Sequence, residues 1–493
     1  MAAGLTKHQL KFIALLSGAV MALVLYFLNP FHVPEKAGRV LAIAALMITW
    51  WVTEALPMPV VALMPLIFFP LLGINTIKGT AAAYGNEVIF LFMGGFMLGL
   101  AIEKWNLHRR IALTIVAKTG TSGNRIILGF ILATGLISMW LSNTATTMMM
   151  FPIALSVVHV MKENKEEGGN YANFNLCLML AIAYASNFGG IATIVGTPPN
   201  VQFVGAFEKR YNTNIDFLDW MLVCTPIALL LMLALYIIST RIMFPNRIRS
   251  SEAANRYIKE ELSLLGKLSG AEKRVLIIFV STALLWISKD FINRAQHLFT
   301  FDDNMIAVMG AVALFICPSG QGAASGNQDD RKSTAILEWE DTSKMAWGIL
   351  LLFGGGIALA DALEKAGLIQ QLGSWMASYA GSGFLLVLAV VVISIFISEV
   401  MSNVAQVIVF TPVVCSLADS VHMNPILLGL PMTLAASCAS MLPMGTPPNA
   451  IVFSSGHIRM KQMVRAGFIM NIIAVVLITL FCWFLLPVLM KGV

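Results

Sequence analysis

Apolar residues in this chain gather into long unbroken runs, and short polar clusters separate them. A run of about 18 residues or more is long enough to cross a bilayer, and Phe12–Leu28 and Met470–Met490 are clear cases. The pattern predicts eleven spans near residues 11–29, 38–55, 58–74, 86–105, 172–207, 219–242, 272–289, 303–318, 346–364, 425–456 and 464–490. Two further segments, near 125–161 and 383–419, are predicted as re-entrant hairpins. Each arm, such as Ile126–Leu141, has about 16 residues, or roughly 24 Å of helix against a hydrocarbon core of about 30 Å. The polar centres Ser142-Asn143-Thr144 and Ser402-Asn403-Val404 then lie at membrane depth. Non-helical backbone is tolerated there only where it lines a cavity or is buried in protein.

The second pattern is an internal repeat. Phe92-Met93-Gly94-Gly95 and Glu103-Lys104 recur as Phe353-Gly354-Gly355-Gly356 and Glu364-Lys365. Ile137-Ser138 and Ser142-Asn143-Thr144-Ala145 recur as Ile397-Ser398 and Ser402-Asn403-Val404-Ala405. Gly196-Thr197-Pro198-Pro199-Asn200 recurs as Gly445-Thr446-Pro447-Pro448-Asn449. Each copy holds five predicted spans and one hairpin. Five is odd, so the second copy must enter the membrane inverted. Inverted repeats with broken helices meeting near the midplane are a layout of secondary transporters.

Composition fits this reading. The chain is 58% hydrophobic and 12% charged over 493 residues, about half the charge of a soluble domain. Most of the basic residues fall on one side of the predicted spans, so that side, with the N-terminus, is expected to be cytoplasmic. The first hairpin is flanked there by Arg125 and Lys162, whereas no Lys or Arg occurs between Lys365 and Arg459. The hairpins are therefore expected to open to opposite sides. The net charge of +6 reads as positive-inside loops, not as a nucleic-acid surface. Residues 245–270 read as a basic amphipathic segment on the cytoplasmic face, and 319–344 as a solvated loop. The first apolar run lacks a small-residue cleavage site and is followed by further spans, so no cleavable signal peptide is expected. No catalytic motif is recognisable, so an enzyme is not expected.

The repeated motifs suit an anion and a cation held together. Each Ser-Asn tip opens a half-helix, whose N–H groups and positive dipole end favour a carboxylate. Two tips suit a ligand with two anionic ends. Pro198-Pro199 and Pro447-Pro448 interrupt a helix and free carbonyls. With Ser138, Ser142 and Asn143 in one copy and Ser398 and Asn403 in the other, those carbonyls offer oxygen ligands to a small cation. No Lys, Arg or His stands in these motifs to neutralise the anion. Glu54 and Glu399 are intramembrane carboxylates, open to a coupling role or to pairing with backbone. Glu103-Lys104 and Glu364-Lys365 read as helix-end salt bridges.

These residues resemble the divalent anion:sodium symporter family, also called solute carrier family 13, from Trp50-Trp51-Val52-Thr53-Glu54-Ala55-Leu56-Pro57 onward. The resemblance implies an all-α polytopic integral plasma-membrane protein of about 11 transmembrane helices. It implies a homodimer with a scaffold and an elevator-type transport domain, here residues 1–118 and 251–380 against 119–250 and 381–493. It implies sodium-coupled symport of di- or tricarboxylates, with sodium as the coupling ion and no other cofactor. The first sodium site would use Ser138, Ser142, Asn143 and Gly196. The second would use Ser398, Met401, Asn403 and Gly445, with the methionine and glycines acting through their carbonyls. Substrate would touch Ser142, Asn143, Thr144, Thr197, Pro198, Ser402, Asn403, Val404, Thr446 and Pro447. Val404 replaces a Thr of many members, Ser440 a Phe and Gly445 an Ala, which bears on substrate choice. C4-dicarboxylates such as succinate, malate and fumarate are the expected cargo. A sodium-independent dicarboxylate or citrate exchanger is the alternative, and a sulfate transporter a more distant one.

Overall fold

The computed structural model describes residues 7–163, 169–248, 252–296, 298–320, 335–377 and 382–489. Among them it is helical throughout, apart from one bridge between Pro318 and Ala335. Helices α1 (Lys7–Leu28) and α2 (Glu35–Val52) pack as a pair, and apolar side chains of α1 such as Phe12 and Phe27 face outward. Short helices α3 (Met58–Val61), α4 (Met64–Leu71) and α5 (Ile77–Ala81) lead into α6 (Glu87–Lys104) and α7 (Leu107–Thr119). The first hairpin is α8 (Gly123–Ser138) and α9 (Asn143–Glu163). Next come α10 (Tyr171–Gly190) and α11 (Pro198–Tyr211), then α12 (Phe217–Ile237), extended by a π-helical turn over Ile238–Met243.

The second half opens with α13 (Glu252–Leu264), α14 (Gly270–Ala295), α15 (Asp303–Ile316), α16 (Trp347–Lys365) and α17 (Leu368–Ala377). The second hairpin is α18 (Gly383–Ile397) and α19 (Asn403–Ser420), followed by α20 (Ile426–Ser437), α21 (Pro447–Ser454), α22 (Met460–Phe484) and α23 (Leu486–Leu489). Eight helices among the described residues are long and apolar enough to cross a membrane.

Several predicted elements differ. The segment at 58–74 is broken in two, and those at 172–207 and 425–456 are interrupted at the proline pairs that mark helix breaks in the sequence. Pro65 follows the first break, and Pro198 and Pro447 open the helices after the other two. Proline lacks the N–H that a continuing helix needs, but it fits the first turn of a new one. Helices α5, α7 and α17 carry no predicted span. The hairpin arms are unequal: α8 has 16 residues, but α9 has 21 and α19 has 18, so both outer arms are long enough to cross a bilayer. Length alone therefore does not make these segments re-entrant. What marks them is the break between the arms, with its polar side chains. Most of the loop at 319–344 lies outside the described residues.

The amphipathic segment at 245–270 is α13, which packs on α7 and α9. Arg109 pairs with Glu261 at 2.5 Å, and Arg110 with Glu272 at 2.8 Å. Glu103-Lys104 and Glu364-Lys365 do end their helices, and Lys104, Glu364 and Lys365 form ion pairs there. Lys104 reaches Asp341 at 2.6 Å, Glu364 meets Arg210 at 3.2 Å, and Lys365 meets Asp361 at 2.9 Å. Burial alone would raise the Asp341 carboxyl; the bonds from Lys104 and the Glu338 N–H outweigh it and hold the group below its usual range.

The two halves pack by one scheme. Helix α8 lies on α10 as α18 lies on α20. Across the halves, α21 packs on α9 and α10, while α11 packs on α19 and α20. Each proline-started helix therefore rests on the other half's hairpin, which brings both motif sets to one region.

Sidedness can be tested with exposed positions on each hairpin. Lys162 and Ser382 are both exposed, and Ser382 makes no side-chain cap bond. Five of the six native cysteines are buried, so only Cys317 needs replacing. In that background, Lys162→Cys is expected to react with an impermeant maleimide from the cytoplasmic side and Ser382→Cys from the outside. Labelling of both from one side would exclude opposite openings.

Candidate functional site

The first hairpin breaks over four residues and the second over five, and the two breaks share one bonding pattern. The N–H groups of Trp140 and Leu141 reach back to Ile137 O at 3.0 and 3.0 Å. Those of Val400 and Met401 reach Ile397 O at 3.0 and 3.2 Å. The next helix then restarts at Asn143 and at Asn403. Ser402 stands in extended conformation before α19 and makes no side-chain cap bond, so nothing from its hydroxyl covers the first-turn N–H groups. Ser142 accepts from the Ala145 N–H at 3.3 Å. Ser142, Asn143, Thr144, Ser402, Asn403 and Val404 are all half-buried.

Behind each tip sits an oxygen cluster. Ser138 Oγ lies 2.8 Å from Asn143 Oδ1 and 2.8 Å from Ser186 O. Ser398 Oγ lies 2.6 Å from Asn403 Oδ1 and 2.5 Å from Ala436 O. Both serines are fully buried. A hydroxyl has one proton, so it can donate to only one of its two oxygen neighbours at a time. The other approach sets lone pair against lone pair. A small hard cation relieves that repulsion, and oxygen is the donor it prefers.

Glycines let the chain close around the first cluster. A Cβ on Gly190 would collide with the Asn143 amide, and one on Gly196 would meet Gly190 O and come within 3.0 Å of Met139 O. Gly445 stands in the same relation to the second cluster, where a Cβ would lie 3.3 Å from Ser398 O.

The loops after α10 and α20 are pinned by their own asparagines. Asn200 Nδ2 donates to Gly190 O at 3.1 Å and Thr193 O at 2.8 Å. Asn449 Nδ2 donates to Ala439 O and Leu442 O, both at 3.2 Å. Both asparagines are fully buried, and both leave Oδ1 without a partner. Thr197 and Thr446 are buried at 4% and 3% exposure, whereas Pro198 is half-buried and Pro447 exposed.

Glu399 is where the copies diverge. It is 3% exposed and accepts from Ser440, Met441 and Leu442 N–H groups, each at 2.8 Å, and from Asn471 Nδ2 at 2.7 Å. Of the two readings open for it, pairing with backbone is the one found. Met139 holds the equivalent place in the first half, and its carbonyl accepts from Thr193 Oγ1 at 2.5 Å. Glu54 instead lies exposed after α2 with φ 49°.

Ser138, Asn143 and Gly196 therefore come together in one cluster, and Ser398, Asn403 and Gly445 in the other. Ser186 and Ala436 take part without having been foreseen, because they act through carbonyls that any residue supplies. Asn200 and Asn449 stood inside a repeated motif, which was the available signal for them. No group of three or more His, Cys, Asp or Glu that could hold a metal occurs among the described residues.

Removing Glu399 leaves the Met441 and Leu442 N–H groups and the Asn471 amide without their acceptor, at roughly 1–3 kcal/mol each, while the Ser440 N–H keeps its bond to Asn471 Oδ1 at 3.1 Å. Glu399→Ala is expected to lower the midpoint of thermal aggregation of detergent-solubilised protein by more than Asn471→Ala does. Equal midpoints for wild type and Glu399→Ala would refute the clamp.

Solved structures resemble the fold at low identity. The MtrF antimetabolite efflux pump of Neisseria gonorrhoeae superposes with a TM-score of 0.56 at 12% identity, over 83% of this chain and 83% of its own. The YdaH transporter of Alcanivorax borkumensis gives 0.55 at 14% identity, over 91% and 98%. Two sequence relatives are sodium-dependent dicarboxylate transporters named SdcS. That of Staphylococcus saprophyticus is 37% identical over 479 residues, 96% of this chain and 91% of its own. That of Staphylococcus aureus strain MRSA252 is 37% identical over 484 residues, 97% and 92%. The profile described as the sodium:sulfate symporter transmembrane region matches residues 7–490, and the chain is an integral membrane protein that belongs to that family.

Proposed function

We propose that the protein is a sodium-coupled secondary active symporter of small organic dianions, with C4-dicarboxylates such as succinate, malate and fumarate as cargo. The observation that carries this is the doubled oxygen cluster, one proton short at Ser138 and again at Ser398, beside two half-helix N-termini. In this reading Ser138, Ser142, Asn143 and Gly196 hold one sodium ion, and Ser398, Met401, Asn403 and Gly445 another. The carboxylates are taken by Ser142, Asn143 and Thr144 at one tip and by Ser402 and Asn403 at the other. Val404 lines the cavity beside them, as do Thr197, Pro198, Thr446 and Pro447. The names of the staphylococcal relatives support both cargo and ion. The segments 119–250 and 381–493 form the moving transport unit, and 1–118 and 251–380 the scaffold of a homodimer, with the N-terminus cytoplasmic and the second repeat inverted.

Asn143 and Asn403 each serve cation and carboxylate at once. Asn143→Ala and Asn403→Ala are each expected to abolish succinate uptake by reconstituted protein while leaving its size-exclusion profile intact. Normal uptake by either would remove that residue from the site. Val404→Thr adds a hydroxyl at the cavity and is expected to change competition among C4 acids, citrate and sulfate, with sodium dependence unchanged. An unaltered profile would place Val404 outside the substrate site.

The driving force separates symport from exchange. A dianion with two sodium ions is neutral, and a third ion makes the cargo positive. One net charge gains about 2.3 kcal/mol per 100 mV, or about fiftyfold in accumulation. Succinate uptake into empty proteoliposomes is expected to need an inward sodium gradient and to quicken under an inside-negative potential. Equal rates in sodium and choline would refute the coupling. Dependence on sodium without response to potential would keep the sites and remove the third ion.

A further inference from the structure

The binding loops of the two halves are not equally prepared, and the difference traces to a residue the repeat does not share. Asn187, near the end of α10, is fully buried. Its Nδ2 donates across the molecule to Thr446 Oγ1 at 3.0 Å, a side-chain bond between the first half and the second half's proline motif. Thr446 Oγ1 also accepts from the Asn449 N–H at 3.4 Å. A threonine hydroxyl has two acceptor positions and one proton. With both acceptor positions taken by N–H donors, the proton is the one thing Thr446 has left to offer.

The equivalent position in the second half is Ser437, because Ser186 and Ala436 occupy matching places behind the two tips. Ser437 is also fully buried, but its Oγ has no partner, and Thr197 makes no side-chain cap bond. The device is therefore one-sided.

We propose that Asn187 is a positioning residue that fixes the Thr446 hydroxyl as a hydrogen-bond donor toward the anionic end of the substrate. The proposal rests on the reading of Thr446 as a substrate contact. An unoriented hydroxyl can turn a lone pair toward a carboxylate and repel it; one whose lone pairs are already engaged cannot. Preorganisation of this kind cuts the ordering cost of binding. It acts on the anion and leaves the cation clusters alone, since Asn187 bonds to neither. The unpartnered Oδ1 of Asn187 fits the same picture. The amide is held by its donor end, and a buried acceptor without a partner is a cost that function retains.

The test measures succinate uptake by reconstituted protein against succinate and sodium separately. Asn187→Ala is expected to raise the KM for succinate about tenfold, the loss of one oriented hydrogen bond, with half-saturation by sodium unchanged once succinate is supplied in proportion to each variant's KM. Asn187→Ser should do the same. Serine already sits buried at the matching position 437, so the fold accommodates it if alanine does not. Asn187→Leu, of similar volume but with no donor, should impair succinate binding to the same degree. Thr446→Val should give a similar KM shift, and adding Asn187→Ala to it should cost nothing further. In thermal unfolding, Asn187→Ala should keep the protection given by sodium and lose that given by succinate. Normal succinate kinetics in Thr446→Val would overturn the substrate reading of Thr446 itself. An impaired Thr446→Val beside a normal Asn187→Ala, or additive effects in the double variant, would overturn the positioning role alone.

Discussion

Inside a bilayer, a backbone amide or carbonyl without a partner costs several kcal/mol, because no water is there to replace it. This chain interrupts helices at the two hairpin tips and at the two proline motifs, and it answers that cost locally each time. The tip residues bond back to Ile137 and Ile397. The loops beyond α10 and α20 are tied down by Asn200 and Asn449 at matching distances of chain. Left open at these four breaks are the uncapped start of α19, the oxygen-rich surroundings of Ser138 and Ser398, and the Oδ1 atoms of the two pinning asparagines.

Much of this was legible because the duplication is written in side chains. Ser138, Asn143 and Gly196, and their partners Ser398, Asn403 and Gly445, are polar or small residues in apolar runs, and they recur in order. Their convergence follows from the motif. Helix breaks were legible only where the pattern was visible. Hydrophobicity reads the apolar runs at 172–207 and 425–456 as single spans, and only Pro198-Pro199 and Pro447-Pro448 marked the breaks inside them. Carbonyls that complete the clusters, such as Ser186 O and Ala436 O, leave no trace in residue identity. Glu399 was ambiguous for a different reason: a carboxylate alone in an apolar run signals that a partner exists without naming it. The partners are three N–H groups more than forty residues away in the chain. At the helix ends, Lys365 pairs locally with Asp361, whereas Lys104 and Glu364 reach Asp341 and Arg210 on other elements, which residue identity does not name either.

The two halves share a bonding scheme but not a charge distribution. Glu399 places a buried carboxylate against the loop that carries Gly445, where a Cβ would come within 3.1 Å of its Oε2. Met139 offers only a carbonyl at the matching point of the first half, and Thr193 provides the tie from the opposite side of the bond. The same mechanical task, holding a proline loop against a hairpin tip, is thus done with a charge in one half and without one in the other. Asn187 adds a second asymmetry. A duplicated site with unequal halves can orient a substrate that a symmetric site would bind in two equivalent ways.

Charge balance closes the argument. No Lys, Arg or His joins either oxygen cluster, and Glu399 finds its partners among N–H groups, not in a salt bridge. A dianion entering this region would meet half-helix dipoles and hydroxyls but no fixed positive charge. Half-charges at helix N-termini are worth about 0.3–1 kcal/mol each when exposed and up to about 2 kcal/mol when partly buried. Against that stands the desolvation of two carboxylates, which costs several kcal/mol per ion. The fixed dipoles cannot meet that cost alone, so the remainder must arrive with mobile cations. In the proposed symport, coupling then needs no moving gate to enforce it: the anion would bind poorly unless the oxygen clusters were filled, and because Asn143 and Asn403 would border both ligands, loss of either would loosen the other.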